Sequence, residues 1–507
     1  MTTVIAPTTQ DPFGGKLRGY EIWGRIGEGG MSEVWLAKHR GLCVPVIIKS
    51  IRHAVLESIG ADRAGERLLM EARLMARVTN PRVVRAIDAG VSDAGVPFLV
   101  QEYVDGVDLA ELDGRRRAIL GVGLPLWFVC YAMQEICEAL HAAHQAGVLH
   151  RDVKPSNVFG APETGIRLGD FGIAVAQTEE GQKETSGTIK FMAPEQFRGE
   201  LLDRTTDVYG AGATACDLRY GHAPFRFMDQ VLDAASGPEL PTPKSAEEAF
   251  FQHMLREMLS KDRAARPQTA AEAGRHFGSL ARALTPSIAA GQMLGRSSLR
   301  IGQTMISTHV GDVASAEADA IVCSANYQMT MRAGVGESIR LRGGDSIETE
   351  AVAHGEQPLG SCVRTGAGTL AAKHVIHAVS AWNEVSCVGR AMARALIMCD
   401  EFGCKTVAMP ALGTGAGRVS MEMSTNAMMT ALRWHSMLGG SRVSELRVYL
   451  GDERKRKIFQ EVAEEAIRGT GAGARFKPDL GLEATGEVRA EASTYLDPSN
   501  PDLTRSQ

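Results

Sequence analysis

Residues 150–157 read HRDVKPSN, and this octapeptide decides the reading of the first half of the chain. It sets a carboxylate (Asp152), an ammonium (Lys154) and a carboxamide (Asn157) within six residues of one another. A carboxylate can take the proton of an attacking hydroxyl, and a carboxamide oxygen is a hard ligand suited to Mg2+. Downstream, GDFG (169–172) adds Asp170, a second oxygen ligand able to bridge metal and phosphate. Upstream, GRIGEGGMSEV (24–34) is a glycine-rich loop between two strand-like runs, where the backbone can approach a phosphate closely. The next strand-like run, VPVIIKS (44–50), carries Lys49. Its anionic brace is expected from Glu71 in AGERLLMEARLMARV (64–78), where Leu68, Leu69, Ala72, Met75 and Ala76 recur at helical spacing. Each element alone has a bland reading: a tight turn, a common tripeptide, a solvated helix carboxylate. Their order and spacing together point to phosphoryl transfer.

On these motifs residues 20 to about 280 resemble a Hanks-type protein kinase domain, close in style to the bacterial Ser/Thr kinases. The resemblance continues through SGTIKFMAPEQ (186–196), TTDVYGAG (205–212) and KDRAARPQT (261–269), where Arg266 is expected to pair with Glu195. It implies an α+β bilobal fold, ATP and Mg2+ as cofactors, and transfer of the γ-phosphoryl group to protein hydroxyls. It further implies that Ile26, Gly27, Gly29, Ser32 and Val34 cover the nucleotide, with Ser32 standing in place of a third glycine. Lys49, braced by Glu71, would hold the α- and β-phosphates. Glu102 and Val104 would offer backbone groups to adenine, behind a gating Gln101. Asp152 would be the proton acceptor, assisted by Lys154, with Asn157 and Asp170 as metal ligands. Lys154 and Thr188 follow the pattern of Ser/Thr rather than Tyr kinases. Arg151 awaits an anion, and Thr178, Thr185 and Ser186 are the candidate activation-loop phosphorylation sites.

The second half alternates strand-like and helical runs, which predicts an α/β domain with a largely parallel or mixed sheet. ADAIVCSAN ends in Asn326, whose amide can donate to a sugar hydroxyl. Two glycine loops, AGVGESI (333–339) and MPALGTGAG (409–417), follow strand-like runs and can clamp a diphosphate between backbone N–H groups. No Lys-Ser/Thr follows either loop, which argues against a nucleoside-triphosphate P-loop. Together with GDVASAEADAIVCSAN (311–326) and HVIHAV (374–379), they make residues 303 to about 468 similar to a macro domain, an α/β three-layer module that binds ADP-ribose. That resemblance implies Asp312 and Val313 at adenine and Asn326 at the distal ribose. It sets Gly334, Val335, Gly336, Gly413, Thr414, Gly415, Ala416 and Gly417 at the diphosphate. The loop acid of many macro-domain ADP-ribosyl hydrolases is absent, Glu337 being the nearest carboxylate. Cys323 stands where the family has asparagine, and Gly451 where many relatives have an aromatic. Binding without hydrolysis is the favoured expectation. The alternatives are a bifunctional kinase and ADP-ribosyl hydrolase, or an ADP-ribose reader with the kinase fold as scaffold.

The expected organisation of the 507 residues is a flexible leader (1–18), a kinase domain (19–282), a linker (283–302), a macro domain (303–468) and a disordered tail (469–507). A net charge of −5 gives no reason to expect nucleic-acid binding, and no apolar run is long enough to span a membrane. The N-terminus lacks the pattern of a secretory signal. Nine cysteines without metal-ligand or disulfide spacing are consistent with free thiols in a cytoplasm. The expected partners are protein substrates and ADP-ribosylated proteins.

Overall fold

A computed structural model describes residues 12–13, 17–28, 32–52, 55–56, 60–161, 164–171, 189–285, 292–293, 298–382, 385–415 and 417–468. Gly29, Ala416, Thr178, Thr185, Ser186 and Thr188 lie outside them, as do most of the leader and the whole of the tail.

The first lobe is an antiparallel sheet of β1 (Tyr20–Glu28), β2 (Ser32–His39), β3 (Val44–Ile51), β4 (Ala86–Val91) and β5 (Pro97–Glu102), in the order β1-β2-β3-β5-β4. Strand alternation splits its side chains between two faces. Trp35, Val46, Ile48 and Val100 build a core on one face. Val34, Ile47 and Lys49 share the other, which also receives helix α1 (Ala61–Met75). The second lobe begins after the strand β6 (Val107–Asp108) with α2 (Leu109–Leu120) and α3 (Leu126–Gln145). The strand pair β7 (Val158–Ala161) and β8 (Gly165–Leu168) follows. Then come α4 (Arg204–Tyr220), α5 (Ala246–Met258) and α6 (Ala270–Leu284). The apolar helix α3 lies at the centre of this lobe, with Phe128, Met133, Ile136 and Leu140 fully buried. Side-chain oxygens of Asp108, Ser245 and Thr269 accept from the third amide of α2, α5 and α6, satisfying otherwise orphaned donors.

Apart from a two-stranded pairing of Ala381–Trp382 with Val385–Ser386, the second half forms one mixed sheet. Its strands are β9 (Gln292–Met293), β10 (Ser298–Ile301), β11 (Thr304–Val310), β12 (Ala320–Ala325), β13 (Cys362–Gly366), β14 (His374–Val379), β15 (Thr406–Pro410) and β16 (Glu445–Leu450). The order is β13-β14-β12-β15-β16-β11-β10-β9, with the central pairs parallel. The stretch 283–302, expected as a linker, thus contributes β9 and β10. Leu299 and Ile301 have the period-two apolar pattern that lets Ser298–Ile301 pair with β11 and bury one face. Along β12, Ala320 and Val322 face a core shared with α9 (Val388–Glu401), α10 (Met421–Leu438) and α11 (Glu453–Arg468). Ile321 and Cys323 face the opposite core, shared with α7 (Gly334–Gly343) and α8 (Ser346–Ala353). The result is an α/β three-layer arrangement following a bilobal α+β one.

Candidate active site and ligand crevice

Between the two lobes, Lys49 on β3 meets the segment after β8. Its Nζ lies 2.8 Å from Asp170 and 3.7 Å from Glu71 on α1. Burial alone would lower the Lys49 ammonium, but the two carboxylates outweigh it and raise its pKa. Burial of Asp170 is likewise outweighed by Lys49, and its carboxyl is held below the ordinary range. The ammonium is committed mainly to the nearer Asp170, so burial prevails at Glu71 and raises its carboxyl.

Asp152, Lys154 and Asn157 converge within one loop turn. Asp152 Oδ2 accepts from Lys154 Nζ at 2.7 Å and from Asn157 Nδ2 at 3.1 Å. Its other oxygen, Oδ1, is buried without a hydrogen-bond partner among the described residues. An acceptor left free inside a protein costs free energy unless something is meant to meet it. Asn157 donates through Nδ2, also to the Asp152 carbonyl at 2.8 Å, which reserves its amide oxygen for a cation.

The loop is held from beneath by Asp207 on α4, which accepts from the backbone amides of His150 (2.9 Å) and Arg151 (2.7 Å) and pairs with His144 at 2.7 Å. Gln196 donates to the Arg151 carbonyl at 2.9 Å. These anchors let Arg151 adopt φ 67°, a left-handed conformation disfavoured for a non-glycine residue. Arg151 Nε is buried and lacks a hydrogen-bond partner among the described residues. Arg266 forms a two-pronged pair with Glu195, at 2.7 and 3.0 Å, fully buried beneath Thr206. Asp207 was not among the expected site residues, although TTDVYGAG (205–212) contains it. The only available signal was an acid buried in an otherwise small and apolar helix, TTDVYGAG.

On the strand face around Lys49, Val34 and Ile47 line the cleft, and Gln101 is buried on β5 beside them. Glu102 carries Arg85 and Arg167 on its side chain, leaving its role toward a ligand to the backbone.

In the second half, β12 and β15 are parallel neighbours, and the two glycine loops leave their C-terminal ends side by side. That is where open α/β sheets bind ligands. Gly334 (φ 59°) and Gly336 open α7, and a side chain on Gly336 would press on Met331 at 3.3 Å. Gly413 (φ 75°) donates its amide to Ser324 Oγ at 3.2 Å, while Gly415 faces open space. Thr414 is tied back to the Ala411 carbonyl. Asp312 starts the short turn that carries Val313 and accepts from Ala314 N at 2.9 Å. Arg342 of α7 lies 3.2 Å from the Asp312 carboxylate, and Ser338 donates to it. Asn326 spends its amide on the next turn: Nδ2 donates to Thr330 O (2.9 Å) and Oγ1 (3.0 Å), and Oδ1 accepts from Thr330 N (3.2 Å). Glu337 sits in the first turn of α7. Among the described residues no group of three or more His, Cys, Asp and Glu side chains converges as a metal site.

The protein kinase domain family matches residues 20–277, just over half of the chain, and the macro domain family matches residues 322–428. The chain belongs to the protein kinase family. Its curated relatives include the serine/threonine-protein kinase pkn3 of Myxococcus xanthus, 32% identical over 269 residues, which are 50% of this chain and 48% of the relative. Another is the serine/threonine-protein kinase PknB of Mycolicibacterium smegmatis, 34% identical over 277 residues, which are 50% of this chain and 41% of that protein. The chain thus spans less than half the length of either. Among solved structures, the kinase domain of Mycobacterium tuberculosis PknI is 26% identical with a TM-score of 0.43, covering 54% of this chain and 99% of that one.

Proposed function

We propose that the protein is a Ser/Thr protein kinase that also binds ADP-ribose or ADP-ribosylated proteins. The observation that carries the kinase reading is the unpartnered, buried Oδ1 of Asp152 beside Lys154 and Asn157, on the same lobe as Asp170 of the Lys49–Asp170 pair. The oxygen ligands Asn157 and Asp170 fit Mg2+, which would neutralise charge on the phosphates when bound. Lys49, steered by Glu71, positions the α- and β-phosphates of ATP. Ile26, Gly27, Gly29, Ser32 and Val34 cover the nucleotide, and the Glu102 and Val104 backbone receives adenine.

A protein Ser or Thr hydroxyl attacks the γ-phosphorus. A new O–P bond forms as the bond to the β–γ bridging oxygen breaks, ADP leaves, and the hydroxyl proton passes to Asp152 Oδ1. Lys154, 2.7 Å from Asp152, is placed to stabilise the transferring phosphoryl charge.

We assign catalysis to a unit spanning 19–282 and ADP-ribose binding to a unit spanning 303–468, whose sheet β9 and β10 extend. In the latter, Gly334–Gly336 and the Gly413–Gly417 loop would meet the diphosphate through backbone amides, with Gly413, whose own amide goes to Ser324, shaping the loop. Asp312 and Val313 would receive adenine, and Asn326 the distal ribose. With Glu337 in α7 as the nearest carboxylate to the first loop, the reading is recognition rather than hydrolysis. All nine cysteines are free and eight are buried, which supports a cytoplasmic location for the protein. Purified protein with γ-labelled ATP and Mg2+, with and without ADP-ribose, tests the assignment. Label on Ser or Thr is the expected result; no incorporation in any Mg2+ condition, on itself or on a generic acceptor protein, overturns it.

A further inference from the structure

The macro domain is seated on the kinase domain at the strip joining its two lobes. Asp105, just past the segment read as the adenine strip, caps helix α9 of the macro domain. Its Oδ1 accepts from Arg390 N at 2.8 Å and its Oδ2 from Gly389 N at 3.1 Å. Arg394 of the same helix pairs with Glu111 of α2 at 2.7 Å. Arg116 of α2 donates to the carbonyls of Leu438 and Gly439 at the end of α10, both at 2.9 Å, satisfying acceptors that a helix terminus leaves open. Trp434 of α10 packs on Phe128 and against β7. A side chain at Gly160 would sit 2.3 Å from the Trp434 ring. These contacts fix the macro domain to the second lobe and to the joining strip.

It also reaches the first lobe. Leu36 on the cleft face of β2 is only 2% exposed, because it shares an apolar cluster with Met329, Val363 and Val379 of the macro domain. Ile26, Ile47 and Tyr103, the residues flanking the nucleotide cleft, pack on that cluster, as does Tyr327. Tyr327 and Met329 belong to the turn that Asn326 holds through Thr330. Met329 is fixed there at φ 59°, a strained value for its side chain.

We infer that the macro domain braces the two kinase lobes in their closed arrangement, and that ADP-ribose at Asn326 releases the brace and speeds nucleotide exchange. The coupling half of this rests on the ADP-ribose reading above. Opening the lobes to release nucleotide would pull Leu36 and its neighbours off the macro domain and expose apolar surface, so the docked domain opposes opening. A ligand sugar that takes the Asn326 amide must take it from Thr330. That frees the 326–330 turn, lets Met329 leave its strained conformation, and loosens the contact with β2 and β3. A ligand shifts such an equilibrium only by its differential affinity for the two states, and the effect is reciprocal.

The test is stopped-flow release of a fluorescent N-methylanthraniloyl-ADP from the full chain, with calorimetry of ADP-ribose in parallel. Bound ADP-ribose is expected to speed release by at least about fivefold, the lower end of ordinary coupling between sites. Tyr327→Ala is expected to speed it without any ligand. Arg394→Glu should do the same, and adding Glu111→Arg should restore slow release, which separates a lost brace from misfolding. If calorimetry detects no ADP-ribose binding, the ligand reading falls, and the brace is then decided by Tyr327→Ala and the charge swap alone. If ADP-ribose binds and release is unchanged, or if neither Tyr327→Ala nor Arg394→Glu alters release, the inference is overturned.

Discussion

Lys49 and Asp170, on opposite lobes, are joined by a 2.8 Å ion pair. The pair spans the cleft while Glu71 stands 3.7 Å from the same ammonium, so one cation ties together β3, α1 and the segment after β8. Such a cation is replaced only at the cost of two carboxylates left facing one another.

Lys49→Met is therefore expected to reduce phosphoryl transfer through lost phosphate positioning. Asp152→Asn is expected to reduce it by removing the only proton acceptor at Oδ1. Each should cost at least about 10²-fold, the lower range for a positioned acid–base group. EDTA should abolish transfer and Mg2+ restore it. Incorporation of label from γ-labelled ATP is the measurement, and unchanged incorporation in both variants would show that the cleft is not the reaction site.

A second expectation concerns Arg151, whose buried Nε has no hydrogen-bond partner among the described residues and whose backbone is held at φ 67°. A guanidinium so placed is suited to a phosphate on the segment that follows Asp170. Phosphorylation at Thr178, Thr185 or Ser186 is expected to raise activity, and mass spectrometry should find phosphate there. Alanine at all three positions should leave low basal activity. Full activity in that triple variant would remove the segment from regulation.

How far these features could be read from the chain differs between the two halves. HRDVKPSN, GDFG and the glycine loop are short-range motifs in which the chemistry sits within a few residues, so spacing alone exposes them. The Lys49–Glu71 pairing is long-range, but a lysine on a buried strand needs an anion and a helix carboxylate supplies one. The three-layer fold was legible because β12, β14 and β15 are short apolar runs separated by helical ones. Three things were not legible. Strands β9 and β10 lie in a helix-poor stretch whose glycines and serines read as a connector, although Leu299 and Ile301 alternate correctly. The engagement of Asp312 by Arg342 and of Asn326 by Thr330 depends on side-chain directions that spacing does not fix. The seating of the macro domain on Asp105 and Arg116 joins residues about three hundred positions apart, and no local pattern marks it.

The buried Arg266–Glu195 pair yields a stability expectation. Burial alone would raise the Glu195 carboxyl, but the Arg266 guanidinium and Thr206 hold it below the ordinary carboxylate range. A depressed folded-state pKa means the pair's stabilisation is fully present above the unfolded value of about 4.3 and is lost as pH falls through the folded value. Removing one partner strands the other charge, so Glu195→Gln is expected to destabilise by about 3–5 kcal/mol. Chemical denaturation at neutral pH checks this, and the gap between variant and parent should narrow in acid. A difference that widens as pH falls would contradict the pairing.

The last expectation separates ligand binding from folding in the macro domain. Among the described residues, chain neighbours aside, no atom lies within 4 Å of where a side chain on Gly415 would begin, and Gly415 is not among the positive-φ glycines. Gly415→Glu should therefore leave the fold and its melting temperature unchanged. The same side chain projects a carboxylate beside the loop proposed to receive a diphosphate, so it should abolish ADP-ribose binding by bulk and like-charge repulsion. Asp312→Ala offers a graded contrast. It removes an acceptor for adenine, expected to weaken binding by about 1–3 kcal/mol, the range for a hydrogen bond to a charged group. It also frees Arg342, whose guanidinium now lies 3.2 Å from that carboxylate. Calorimetry of the full chain with ADP-ribose, expected at about micromolar affinity in the parent, decides between these outcomes. Undiminished binding in Gly415→Glu would place the ligand somewhere other than the crevice between the two glycine loops.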